Sequence, residues 1–175
     1  MEKILVVADL EDNCYATPRG LELASKLGVD VDVVAFAYAP LKSLQVKPAM
    51  QETIKKRLLA ERKKQVKALI GKYRTRGQKV ELFVEWEKDI TRSINRRCRG
   101  GSYLWVIKTG NRTESLVHSS TDWQLLRECP KPVLLVADKK WHRTKPVLVT
   151  LDLSTKVASK RTLNSKLLGV ARDLA

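Results

Sequence analysis

A chain of 175 residues has room for one domain of ordinary size and part of a second, and length enough to bury a core. Its 43% hydrophobic and 30% charged residues are a globular composition, and no apolar run approaches the ~18–20 residues of a membrane span. A formal charge of +15 is the one anomaly, pointing either to a polyanionic partner or to a solvated basic face.

Residues 4–8, Ile-Leu-Val-Val-Ala, predict a buried first strand ending at Asp9. With an acid at each end of a short apolar run, the N-terminus is a poor signal peptide. A polar loop, Glu11-Asp12-Asn13, leads to a helix from about 17 to 27 with Leu21, Leu23, Ala24 and Leu27 on one face and Gly28 as its stop. Residues 31–38 predict a second strand. A loop over 41–48 and a long helix over about 50–76 follow, with Ile54, Leu58, Val66, Leu69, Ile70 and Tyr73 near helical spacing, Tyr73 packing in the core and Gly77 closing the helix. Val80, Leu82, Val84 and Trp86 alternate as a third strand. A helix over 88–99 turns Ile90, Ile94 and Cys98 inward and ends at Gly100-Gly101; residues 103–107 make a fourth strand, and 108–118 a loop. Strands alternating with helices argue for an open parallel sheet of five strands with helices on both faces.

Residues 118–137 form an ordered unit. Hydroxyl and acidic residues suit a helix N-terminus, Trp123, Leu125 and Leu126 supply its buried side, and Pro130 and Pro132 stop it before the buried strand 133–136. This unit resembles the end of a universal stress protein domain. In that family a glycine-serine pair opens the last helix and a Cys-Pro or Pro-x-Pro turn feeds the fifth strand; here Ser119-Ser120-Thr121 and Pro130-Lys131-Pro132-Val133 stand in those places. The Thr121-Asp122-Trp123 triplet resembles the first domain of the E-type, two-domain proteins. The resemblance implies a strand order of 3-2-1-4-5, of the adenine-nucleotide alpha hydrolase-like kind. That order places a switch point between strands 1 and 4, where ligands bind.

Residues 146–154 copy residues 3–11, with Asp152 matching Asp9. The expected organisation is a complete domain over 1–138, a linker over 139–145, and over 146–175 the start of a second domain, one strand and a helix from about Arg161, that does not finish.

The residues expected at the switch-point crevice are Asp9, Ala37, Lys108, Gly110, Arg112, Ser119, Ser120 and Thr121. ATP-binding family members carry a G-x-x-G loop whose glycines let phosphates settle on backbone N–H groups at a helix N-terminus. Here the loop keeps only Gly110, its spacing is short, and the final glycine is Ser119, which argues against ATP; Lys108 and Arg112 offer charge to a simpler anion instead. His118 beside Ser119 and Ser120 does not form a base aimed at a nucleophile, and no G-x-S-x-G elbow exists. Cys14, Cys98 and Cys129, odd in number and far apart, read as reduced thiols of a cytoplasmic protein and not as a zinc site; no other metal motif is present.

The basic run Lys55, Lys56, Arg57, Arg62, Lys63, Lys64, Lys67, Lys72, Arg74, Arg76 and Lys79 suits phosphate contacts. Without an aromatic platform or a helix-turn-helix in view, it implies at most nonspecific nucleic-acid binding. The resemblance implies a non-catalytic cytoplasmic stress-response protein, a regulator or ligand-responsive adaptor, forming a homodimer or pairing domains along strand 5. An ATP-binding or slowly hydrolysing member, and a nucleic-acid-associated basic protein, are the alternatives.

Overall fold

The computed structural model of the chain describes residues 2–9, 14–43, 47–110, 121–137 and 147–174. They divide between two compact units, Met1–Asp138 and Lys139–Ala175.

In the first unit β1 (Lys3–Ala8), α1 (Ala16–Leu27), β2 (Asp30–Ala37), α2 (Pro48–Tyr73), β3 (Val80–Trp86), α3 (Ile90–Gly100), β4 (Tyr103–Thr109), α4 (Thr121–Glu128) and β5 (Val133–Val136) alternate along the chain. All strand pairs are parallel, in the expected order β3-β2-β1-β4-β5. Ile4, Leu5, Val6 and Val7 are all buried because β1, at the centre, is covered on both faces; each such side chain contributes roughly 1.5–3 kcal/mol.

Alternation divides these residues between two helix layers. Leu5 and Val7, with Val34 and Phe36, pack against Ile94 and Cys98 of α3 and Leu125 of α4. On the other face α1 comes so close that a Cβ on Gly20 would lie 2.3 Å from Val6 Cγ2, so only glycine fits there. Gly28 ends α1 in the left-handed conformation (φ 66°), its N–H donating to the Ala24 carbonyl.

Helix α2 buries only Val66 and Ile70 and stops at Tyr73, three residues before the expected end. Arg74 is extended, and its Nε donates to the Gln78 carbonyl at 2.7 Å, which carries the chain into the turn at Gly77. Tyr73 is not a core residue as expected. It is 41% exposed, with the Lys72 ammonium 5.3 Å from its ring centre.

Helix α4 is also turned differently from the expectation. Leu125 is buried, but Trp123 is 70% and Leu126 48% exposed, and the buried partner of Leu125 is Asp122, three residues before it. At the amino end of the sheet, buried Asp32 accepts the Tyr103 hydroxyl at 2.7 Å and the Lys3 ammonium at 2.9 Å.

In the second unit, α5 (Ala158–Leu174) begins three residues earlier than expected. Among the described residues, 147–151, part of the copy of β1, carry no ladder, because no described strand of this unit is there to take their backbone groups. Asp152 instead accepts Ser154 Oγ at 3.1 Å and Lys160 Nζ at 3.3 Å, and Asn164 Nδ2 donates to its carbonyl at 2.8 Å.

Candidate functional site

Helix α1, leaving β1, covers the Val6 face, whereas α4, which follows β4, covers the Leu5 and Val7 face. The chain thus departs in opposite directions from two neighbouring strands, and their carboxyl ends form the switch point.

A polar cluster occupies it. The side chain of Lys108, 6% exposed, places its ammonium 2.9 Å from Asp122 Oδ1 and 3.8 Å from Asp9 Oδ1, and donates to the Thr109 carbonyl at 2.8 Å. Thr109 Oγ1 accepts the N–H groups of Tyr15 at 3.1 Å and Ala16 at 3.0 Å, so β4 caps a helix whose own N-cap residue offers no side-chain bond. Cys14 Sγ accepts the Asp9 N–H at 3.4 Å and lies 3.2 Å from Thr17 Oγ1. From α2, the Arg62 guanidinium donates to the Ala8 carbonyl at 3.1 Å and to that of Asp9.

Burial holds the Asp9 carboxyl above its ordinary range, opposed by hydrogen bonding to Thr109 and by the Lys108 charge. Burial likewise draws the Arg62 guanidinium down, against the pull of Cys14 and Asp9. Chemically this is a pair of cations balanced by a pair of carboxylates. Among the described residues no group of three His, Cys, Asp or Glu side chains is placed to hold a metal.

The structure brings Asp9 and Lys108 together. Lys108 is a buried residue of β4, not the first residue of a loop, because the two carboxylates compensate its charge inside the sheet. Gly110 follows β4, and its N–H donates to the Val136 carbonyl at 2.8 Å. A Cβ there would meet Leu135 at an ordinary 3.5 Å, so the position does not demand glycine. Thr121 is the first residue of α4. Ala37 ends β2, two strands from Lys108 and paired with Trp86. Arg112, Ser119 and Ser120 lie outside the described residues.

The sequence reading missed Asp122, Thr109, Cys14 and Arg62. For Arg62 there was a signal: it stands four residues before Val66 and eight before Ile70, in phase with the only two buried positions of α2.

No family model matches the chain. It is 26% identical over 182 aligned positions to universal stress protein E of Salmonella typhi, an alignment covering 99% of this chain and 57% of that protein. The chain thus spans a little over half the length of such relatives. Among solved structures, a putative universal stress protein from Pseudomonas aeruginosa UCBPP-PA14 superposes with a TM-score of 0.64 at 20% identity, over 99% of this chain and 56% of that one. A universal stress protein in complex with cAMP superposes with a TM-score of 0.51 at 13% identity, over 79% of this chain and 98% of that one. In sequence and in fold alike, this chain is similar to the universal stress proteins, and along nearly its whole length to those of E type.

Proposed function

We propose that the protein is a non-catalytic regulator or ligand-responsive adaptor of the cytoplasmic stress response, acting through the switch-point crevice over Asp9 and Lys108. The observation that carries this reading is the charge balance of the cluster. Lys108 and Arg62 are matched by Asp9 and Asp122, and Lys108 is already engaged by both carboxylates and a carbonyl. A triphosphate needs spare positive charge or free N–H groups, and two buried carboxylates oppose it. Retention of Gly110 alone from the glycine loop points the same way.

A ligand with a single phosphate charge suits a near-neutral site better, and the cAMP carried by one structural neighbour favours this second reading. Calorimetry with Mg-ATP and with cAMP tests both. The expected result is no micromolar affinity for ATP. A micromolar ATP constant that disappears in Asp9→Ala would overturn the reading.

Edge strand β5 has half-buried Val133, Leu134 and Leu135 and lies at the end of the sheet order. Pairing there with a second copy is the assembly we expect. A strict monomer by light scattering would count against the homodimer.

A further inference from the structure

We propose that the cleft between Tyr38 and Trp86, together with the cationic surface of α2, is a binding site for single-stranded nucleic acid. The basic run alone did not imply base contacts, because no aromatic platform was visible in the sequence. The fold supplies one. Trp86 is the last residue of β3 and Tyr38 follows the last residue of β2, so the parallel register brings both rings to the same end of the sheet. Their centroids are 5.8 Å apart and their planes are tilted by 47°, a tilted pair and not a parallel stack, with Trp86 partly exposed. Tyr38 is 47% exposed.

The cleft between these rings and the first turns of α2 has a volume of about 450 Å³ and is lined also by Pro40, Ser43, Glu52 and Lys55. The Lys55 ammonium lies 6.0 Å from the Trp86 ring centre, where it can accompany a phosphate while a base meets the aromatic faces.

The charge continues away from the cleft. Helix α2 carries eight Lys and Arg residues against Glu52 and Glu61. Lys56, Lys63 and Lys67, at i, i+7 and i+11, share one exposed side of it, and Lys64 is exposed beside them. Near the far end of the helix stands another exposed ring, Tyr73, beside Lys72. Cations between exposed aromatic rings are what a flexible polyanion with stacking bases requires. A duplex hides its base faces and gains nothing from the rings.

The test is fluorescence anisotropy of labelled (dT)20 and (U)20 with the full chain at 100 mM salt. Binding of both is expected, falling steeply with salt. Tyr38→Ala should weaken it roughly fivefold to a hundredfold, the range for loss of one stacked base, whereas Tyr38→Phe retains it. Trp86→Leu, read beside a circular dichroism melt, should do the same. Reversing Lys63, Lys64 and Lys67 to Glu should weaken binding and flatten the salt slope by about two. Glu52→Gln should tighten binding by removing a carboxylate from the cleft. The proposal is overturned if neither strand binds, if base-free polyphosphate or duplex DNA displaces the strand as well as unlabelled (dT)20 does, or if folded Tyr38→Ala binds like the parent.

Discussion

Replacing Lys108 by Met keeps an unbranched side chain one atom shorter and removes the charge from the centre of the switch-point cluster. The ammonium is ion-paired with Asp122 at 2.9 Å and donates to the Thr109 carbonyl at 2.8 Å, with Asp9 at 3.8 Å. Side-chain exposures of Lys108, Asp9 and Asp122 are 6%, 12% and 9%, so water cannot take its place around either carboxylate. Breaking a buried pair by removing one partner costs about 3–5 kcal/mol, since the remaining charge stays desolvated. The expected loss of stability at pH 7.5 is therefore about 3 kcal/mol or more, a fall in Tm of roughly 10 °C.

The loss should depend on pH. Burial already holds the Asp9 carboxyl above its ordinary range against the Lys108 charge, and removing that charge raises it further. A raised folded pKa favours the native state at low pH, and that advantage disappears as pH rises through it, so the deficit should be smaller at pH 5 than at pH 7.5. Adding Asp122→Asn to Lys108→Met removes one uncompensated charge and should restore part of the stability. Urea unfolding across that pH range is the assay. A deficit under 1 kcal/mol, or one that does not change with pH, would show that Lys108 does not hold the two carboxylates.

The other predictions concern single groups. The fold brings Cys98 and Cys129, 31 residues apart in sequence, to 3.9 Å between sulfurs. The neighbouring Cys98 thiol, together with the Lys131 N–H and charge, draws Cys129 down to about 7, while Cys98 is held far above its ordinary range by Cys129 and by burial. Iodoacetamide should therefore alkylate half-buried Cys129 with a midpoint near pH 7 and spare Cys98 in the folded protein; equal labelling of the two would refute this assignment. Tyr103→Phe deprives buried Asp32 of its 2.7 Å donor and leaves it only Lys3, which should cost about 1–3 kcal/mol in urea unfolding.

The strands were legible because buried parallel strands are short apolar runs between turn residues, as residues 4–8 and 133–136 are. Their order was not contained in those runs and came from the resemblance of the helix, double-proline turn and last strand. The strand expected over 146–152 stands differently. Its residues copy β1, but a strand is a pairing, and no described partner stands beside these residues in their unit. The Tyr38–Trp86 cleft was equally hidden. The rings are 48 residues apart, and only the β2–β3 register sets them at one end of the sheet.

Beyond Asp9 and Lys108, the polar cluster failed to show itself for a single physical reason. Hydropathy assigns charged residues to the surface, so Lys108 reads as the start of a loop, Arg62 as part of a solvated stripe, and Asp122 as an acid suited to the N-terminus of α4. Each is drawn inward by a partner far away in sequence: Lys108 by Asp9, Arg62 by the β1 carbonyls, Asp122 by Lys108. The last of these accounts for the rotation of α4. That helix has eight residues and apolar side chains at 123, 125 and 126, so hydrophobicity alone would bury all three. The ion pair fixes position 122 instead, and Leu125, three residues on, follows it inward. Trp123 and Leu126, each one residue further around, must then face out. The signal that remains in the sequence is charge in the phase of the core: Arg62 with Val66 and Ile70, Asp122 with Leu125, Lys108 directly after Ile107. Two positive and two negative side chains, counting Asp9, converge on one end of the sheet, and their balance is what lets Lys108 and Asp122 be buried and Asp9 and Arg62 half-buried there.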